Sequence, residues 1–200
     1  MIASSMIMGW VGISIFVLIA STLRKLMKDN EYAFLHVLMT FMYAMWLPLP
    51  LTFYRLLNTD LLLVGTIFGL IYLVMIVIAM ALQAGHISYI VKHNDHQISE
   101  MHGDYMMAVI SNPMEGLANI FKCIWAWFLG VSFWKNDEMM MAAIMFLFSL
   151  FFFYYLLIVL EQSVVKQMKG ITNVKPNQTF VNLETFVFFL ALVGYITIKP

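Results

Sequence analysis

The feature that most constrains this chain is the recurrence of about six apolar stretches, each near the ~20 residues a helix needs to cross the hydrocarbon core of a bilayer. They run approximately over residues 5–23, 32–51, 61–84, 113–134, 139–160 and 182–198. Only 11% of all residues are charged, against 62% that are hydrophobic. A water-facing surface needs about twice that charged share. In lipid, backbone groups must be satisfied within the chain, which leaves helices or a closed barrel. Runs of this length favour helices. The expected fold is therefore all-α: a polytopic transmembrane helical bundle whose main partner is the lipid bilayer.

Charge and cysteine content exclude several classes. Eleven Lys and Arg balance eleven Asp and Glu, so no basic patch points to nucleic acid. The single Cys123 cannot form an intrachain disulfide or a cysteine-rich metal site. Arg24, Lys25 and Lys28 follow the first apolar stretch rather than precede it. That order reads as a retained span, not a cleaved signal.

Local signals set the expected ends of the spans. Pro48 and Pro50 remove backbone donors and predict a kink or an end in the second span. The third span is expected to continue as a helix through Ile90. Asn112, Pro113 and Glu115 read as cap, first helical residue and capping-box acid of the fourth. The fifth is expected to project to Lys169 before Gly170. Glu184 then falls in the first turn of the sixth, where a negative charge suits the helix dipole. Between the third and fourth spans, Ile98, Met101, Tyr105 and Val109 follow helical spacing among polar residues. That pattern predicts either a short interfacial helix or an irregular loop. Trp10, Trp46, Trp125, Trp127 and Trp134 lie mostly near predicted span ends, as interfacial anchors do.

Positive charge sets orientation. With both termini outside, Arg24, Lys25, Lys28, Lys92, Lys166, Lys169 and Lys175 face the cytoplasm, and Arg55, Lys135 and Lys199 do not. The expected location is a bacterial-type cytoplasmic membrane with that topology.

Three constellations could carry function. Glu115, Asn119 and Lys122 recur at i, i+4 and i+7, one face of the fourth span. Ionisable groups within a bilayer are costly and point to a bundle interior or a hydrated cavity. This face is a candidate transport path, with Glu115 as partner to Lys122; the alternative is a cap at Glu115 and a snorkelling Lys122. His36, His86, His93 and His96, with Glu100, offer imidazoles and a carboxylate that could hold haem or a transition metal. Interfacial histidines without a ligand are the plainer reading. Gly65 and Gly69 form a G-x-x-x-G pair, and Cys123, Ala126 and Gly130 share a small-residue face; both suit close helix packing, within the chain or between copies. The repeat of His36, Met39, Met42 and Met45 drifts around its helix and reads as ordinary packing rather than a copper path.

No nucleophile elbow, P-loop, dinucleotide fingerprint or zinc-protease motif is present. Nothing argues for an enzyme. The leading expectation is small-solute or ion transport, or a role as a helical subunit of a membrane complex. The alternatives are a haem- or metal-binding redox protein and an immunity-type protein that docks another membrane protein.

Overall fold

The computed structural model describes residues 1–92, 103, 105–163 and 177–199. The described chain is all helical. In chain order the helices are α1 (Ile2–Lys28), α2 (Tyr32–Trp46), α3 (Leu49–Leu57), α4 (Asp60–Lys92), α5 (Asn112–Lys135), α6 (Met139–Ser163) and α7 (Gln178–Ile198). A π-helical turn, Met107–Ser111, leads into α5. Six spans result, because α2 and α3 together form one broken span, Tyr32–Leu57. All six are long and apolar enough to cross a membrane, and the architecture is that of a polytopic membrane protein. Their outer faces carry exposed Ile7, Val17, Phe41, Ile67, Leu147 and Phe153, a surface suited to acyl chains.

The break in the second span sits at the prolines. α2 ends at Trp46, and Pro50 occupies the first turn of α3, where its missing N–H costs no hydrogen bond. The chain stays apolar through the break, so the span extends to Leu57 and takes Arg55 into its last turn. α4 runs unbroken to Lys92, beyond the expected Ile90. Residues 93–102 and 104, which carry most of the expected interfacial helix, lie outside the described residues, as do residues 164–176 with the expected end of the fifth helix.

Two local expectations are corrected. Asn112 does not cap α5 but is its first residue, after Ser111. The π-helical turn upstream continues the helical backbone into α5, so no side-chain cap is required there. Glu115 instead makes a side-chain contact: the Ser111 hydroxyl donates to its Oε1 at 2.6 Å. The sixth span begins at Gln178, four residues earlier than 182, because the Asn177 side chain accepts a hydrogen bond from the Phe180 N–H. That earlier start puts Glu184 beyond the first turn and inside the bundle.

Helices α1, α2, α4, α5 and α6 each pack against the next in that order, and the backbone of α7 lies beside α1. Aromatic rings carry α7 onto every other helix. Phe186 stacks on Phe16 of α1 at 4.7 Å, and Phe189 stacks on Trp46 of α2 at 3.9 Å. Tyr195 meets Phe53 of α3, Phe189 meets Tyr72 of α4, and Phe188 meets Trp125 of α5 and Phe148 of α6. Trp46 and Trp125 are thus core residues, both fully buried, and not interfacial anchors. Glycines make the room: Gly12 lies under the Trp46 indole, and a Cβ on Gly69 would stand 2.6 Å from the Trp125 ring. Trp10, Trp127 and Trp134 are exposed.

Several small residues receive bulky side chains of neighbouring helices. Gly65 and Gly69 receive Phe128 and Trp125 of α5, and Gly130 receives Phe146 of α6. Ala126 is fully buried, and Cys123 packs with Tyr155 and Ile158. One end of the bundle gathers the start of α1, the end of α7 and the tight turns at 58–59 and 136–138. There Trp10 donates to Thr197, Thr59 to Ser132, and Asn136 to the Leu57 carbonyl.

Candidate functional site

Helix α5 positions the candidate site. It is the most enclosed span: 67% of its most apolar stretch is buried, against 22–39% for the others. Glu115, Asn119 and Lys122 all lie on its inner side, but they divide between two settings.

Lys122 is 1% exposed, about 15 Å along α5 from its start at 1.5 Å per residue. Its side chain turns into the bundle rather than along the outer face of the helix. It does not pair with Glu115. Its Nζ forms an ion pair with Glu184 Oε2 of α7 and donates to Thr185 Oγ1 at 3.1 Å. Tyr155 of α6 donates to the same Glu184 oxygen at 3.1 Å. The rings of Tyr72 and Tyr155 flank the ammonium, with centroids at 5.6 and 5.3 Å, close enough for cation–π attraction. Four helices, α4 to α7, therefore enclose one buried charge pair. Two polar atoms around it find no hydrogen-bond partner among the described residues: Glu184 Oε1, and the Tyr72 hydroxyl, which lies near Tyr43 and Thr185 without a well-formed hydrogen bond. A buried pair of this kind is poor evidence for stability, because desolvation offsets most of its attraction.

Glu115 stands in the half of the bundle away from the termini. Gln83 of α4 donates to its Oε1 at 2.8 Å, alongside Ser111. Its Oε2 accepts no hydrogen bond, and no cation pairs with it, among the described residues. Glu115 and Asn119 line a cavity of about 240 Å³ between α2, α4, α5 and α7, whose other walls include His36, Met39, Tyr43, Gln83 and Asn182. A narrow extension of about 20 Å³ shares Glu115 and Asn119 and reaches Tyr155 and Gln162. Asn119 itself donates to the Glu115 backbone carbonyl at 2.9 Å. Glu115 and Asn119 are thus cavity walls, while Lys122 lies deeper, joined to the narrow extension through Tyr155 and to the cavity wall at Tyr43 through Tyr72.

A second cavity, of about 330 Å³, opens between α1, α2 and α7. Phe16, Ile19, Leu23, Leu35 and Leu183 give it an apolar lining, and it shares Met39, Tyr43 and Asn182 with the polar cavity. A groove of about 300 Å³ on the outer face of α5 and α6 is lined by Cys123, Ile124, Trp127, Ser149 and Phe152 and has little polar surface.

Of the candidate histidines, His36 and His86 lie among the described residues. His36 lines the polar cavity, and its Nδ1 donates to the Tyr32 carbonyl at 2.7 Å. His86 is partly buried on α4. His93, His96 and Glu100 lie outside the described residues. Among the described residues, no three His, Cys, Asp or Glu side chains converge as metal ligands.

Sequence reasoning missed Glu184, Tyr72, Tyr155 and Gln83 as parts of the site. Glu184 was discoverable. A helix start set by Asn177 puts it well inside the span, where it is the natural counter-charge to Lys122. The tyrosines carry no comparable signal, since aromatic residues abound in every span. Comparison with protein-family models, with curated proteins and with solved structures finds no match.

Proposed function

We propose that the chain moves a small polar solute or ion across the membrane, with the Glu115–Asn119 cavity as the binding chamber. The observation that carries this reading is a carboxylate without a cationic partner among the described residues, lining a cavity large enough for several waters inside a mainly apolar bundle. The buried Lys122–Glu184 pair lies beyond the chamber. Its link to the chamber through Tyr155 suits a gate or a coupled charge movement rather than a binding contact. The excess of Lys and Arg at the end opposite the termini supports a cytoplasmic mouth for the chamber.

The test is hydration first, then flux. In a Cys123→Ala background, Asn119→Cys in membrane vesicles should react with a charged, membrane-impermeant methanethiosulfonate from one side only. Proteoliposomes should then take up radiolabelled choline or rubidium, and Glu115→Gln should reduce that uptake by roughly tenfold or more. An Asn119→Cys protein that stays unlabelled from both sides removes the chamber, and transport with it.

A further inference from the structure

The polar chamber does not end at its own walls. Met39 and Tyr43 of α2 and Asn182 of α7 form a common wall with the apolar cleft between α1, α2 and α7. The two spaces measure about 240 and about 330 Å³, and together they reach the ~300–1,000 Å³ typical of small-molecule sites. Their chemistry is divided. One holds Glu115, Asn119, Gln83 and Gln178; the other is almost wholly hydrocarbon, apart from Thr179 and the shared wall.

From this juxtaposition we infer that the ligand is an amphiphilic organic monocation, whose ammonium head meets Glu115 while its alkyl chain lies in the α1/α2/α7 cleft. The inference rests on the reading of the chamber as a transport site and narrows its substrate class.

Charge selects the head. Glu115 has no cationic partner among the described residues, and the buried lysine nearest the chamber is committed to Glu184. No Lys or Arg lines either space among the described residues, so an anionic head would meet a carboxylate with nothing to balance it. The side-chain carbonyls of Asn119 and Asn182 can accept from an ammonium, and the Tyr43 ring offers a π face that also suits a quaternary one. Shape and polarity select the tail. Ala20, Leu23 and Leu183 of the cleft are all exposed, so the cleft is open at the bundle's surface and a chain already dissolved in the bilayer enters sideways. Moving a chain from lipid into this cleft exchanges one hydrocarbon setting for another. The head contact with Glu115 therefore supplies the selectivity, and the cleft supplies the route.

The experiment uses the full chain in nanodiscs, with n-decyltrimethylammonium and tetramethylammonium as probes and decanoate as the control of opposite charge. Binding to empty nanodiscs is subtracted, and bilayer partition is the same for every variant, so differences between variants report the site. Wild type should bind decyltrimethylammonium saturably, one per chain, and should not bind decanoate. Glu115→Gln should weaken both cations by roughly tenfold or more. Ala20→Phe, a change at an exposed position that fills the cleft without entering the core, should weaken decyltrimethylammonium alone and leave tetramethylammonium unchanged. Equal decyltrimethylammonium binding in all three proteins, or equal binding of decanoate, overturns the inference. If tetramethylammonium binding depends on Glu115 but the decyl chain adds nothing and Ala20→Phe has no effect, the amphiphile falls and the polar chamber stands. If neither cation responds to Glu115→Gln, both fall.

Discussion

Replacing Lys122 by methionine tests whether the Lys122–Glu184 pair is a true buried ion pair. Methionine is of similar length and apolar, so it fills the lysine's space between Tyr72 and Tyr155 without leaving a cavity. What is lost is the ion pair, the 3.1 Å bond to Thr185 and the two ring contacts at 5.3 and 5.6 Å. What remains is a Glu184 carboxylate that is 5% exposed, for which the described residues offer Oε1 no partner and Oε2 only Tyr155. Removing one partner of a buried pair costs about 3–5 kcal/mol, because the other charge is left uncompensated. For a chain of this size each kcal/mol lowers Tm by about 2–4 °C. Lys122→Met should therefore fall by roughly 6–20 °C in thermal unfolding followed by tryptophan fluorescence in dodecyl maltoside. The double variant K122M/E184M removes both charges and should recover at least about 2 kcal/mol of the loss. Recovery is incomplete, since Tyr155 loses its acceptor at a cost of about 1 kcal/mol. A Lys122→Met protein within about 1 kcal/mol of wild type, or a double variant less stable than the single, refutes the reasoning.

Two further outcomes follow from packing and surface charge. Gly69→Ala puts a methyl group against the Trp125 ring, whose shift would disturb Phe188, and should cost about 1–3 kcal/mol; Gly85→Ala meets open space and should be neutral or stabilising by about 0.5–1 kcal/mol, both read by thermal unfolding. At the exposed end of the bundle the Glu138 carboxylate holds the Lys199 ammonium above the ordinary lysine range through a hydrogen bond. A raised folded-state value means that any stability from this pair is fully present below the unfolded lysine pKa of ~10.4 and is lost as pH rises through the higher folded value. Lys199→Gln should therefore separate from wild type only slightly at neutral pH, and not at all well above that range; a difference that grows with pH contradicts the assignment.

The spans were legible because membrane physics writes them as long uninterrupted runs. α4 could be read from Asp60 onward because nothing polar enough to stop it occurs before residue 93. The second span was read short: Pro48 and Pro50 marked the break correctly, but the apolar residues after it belong to the same crossing. The polar face of α5 was legible in part. Glu115 and Asn119 line one cavity, as one-face spacing implies, but spacing along a single helix carries no information about the helix opposite. The partner of Lys122 therefore depended on the register of α7, which an asparagine cap four residues before the apparent start had shifted. Trp46 and Trp125 were misread for a related reason. An indole near the end of an apolar run looks the same whether lipid headgroups or a glycine on another helix receives it, and only Gly12 and Gly69 decide the matter here.

The charge pair between α5 and α7 also sets a schedule for biogenesis. Lys122 and Glu184 are 62 residues apart, an interval of about 3–12 s at ~5–20 residues per second of synthesis. Throughout that wait α5 offers the membrane an uncompensated ammonium. The insertion machinery must therefore either shelter the α5 segment in an aqueous or protein-lined compartment, or release it to lipid only when its acidic counterpart has left the ribosome.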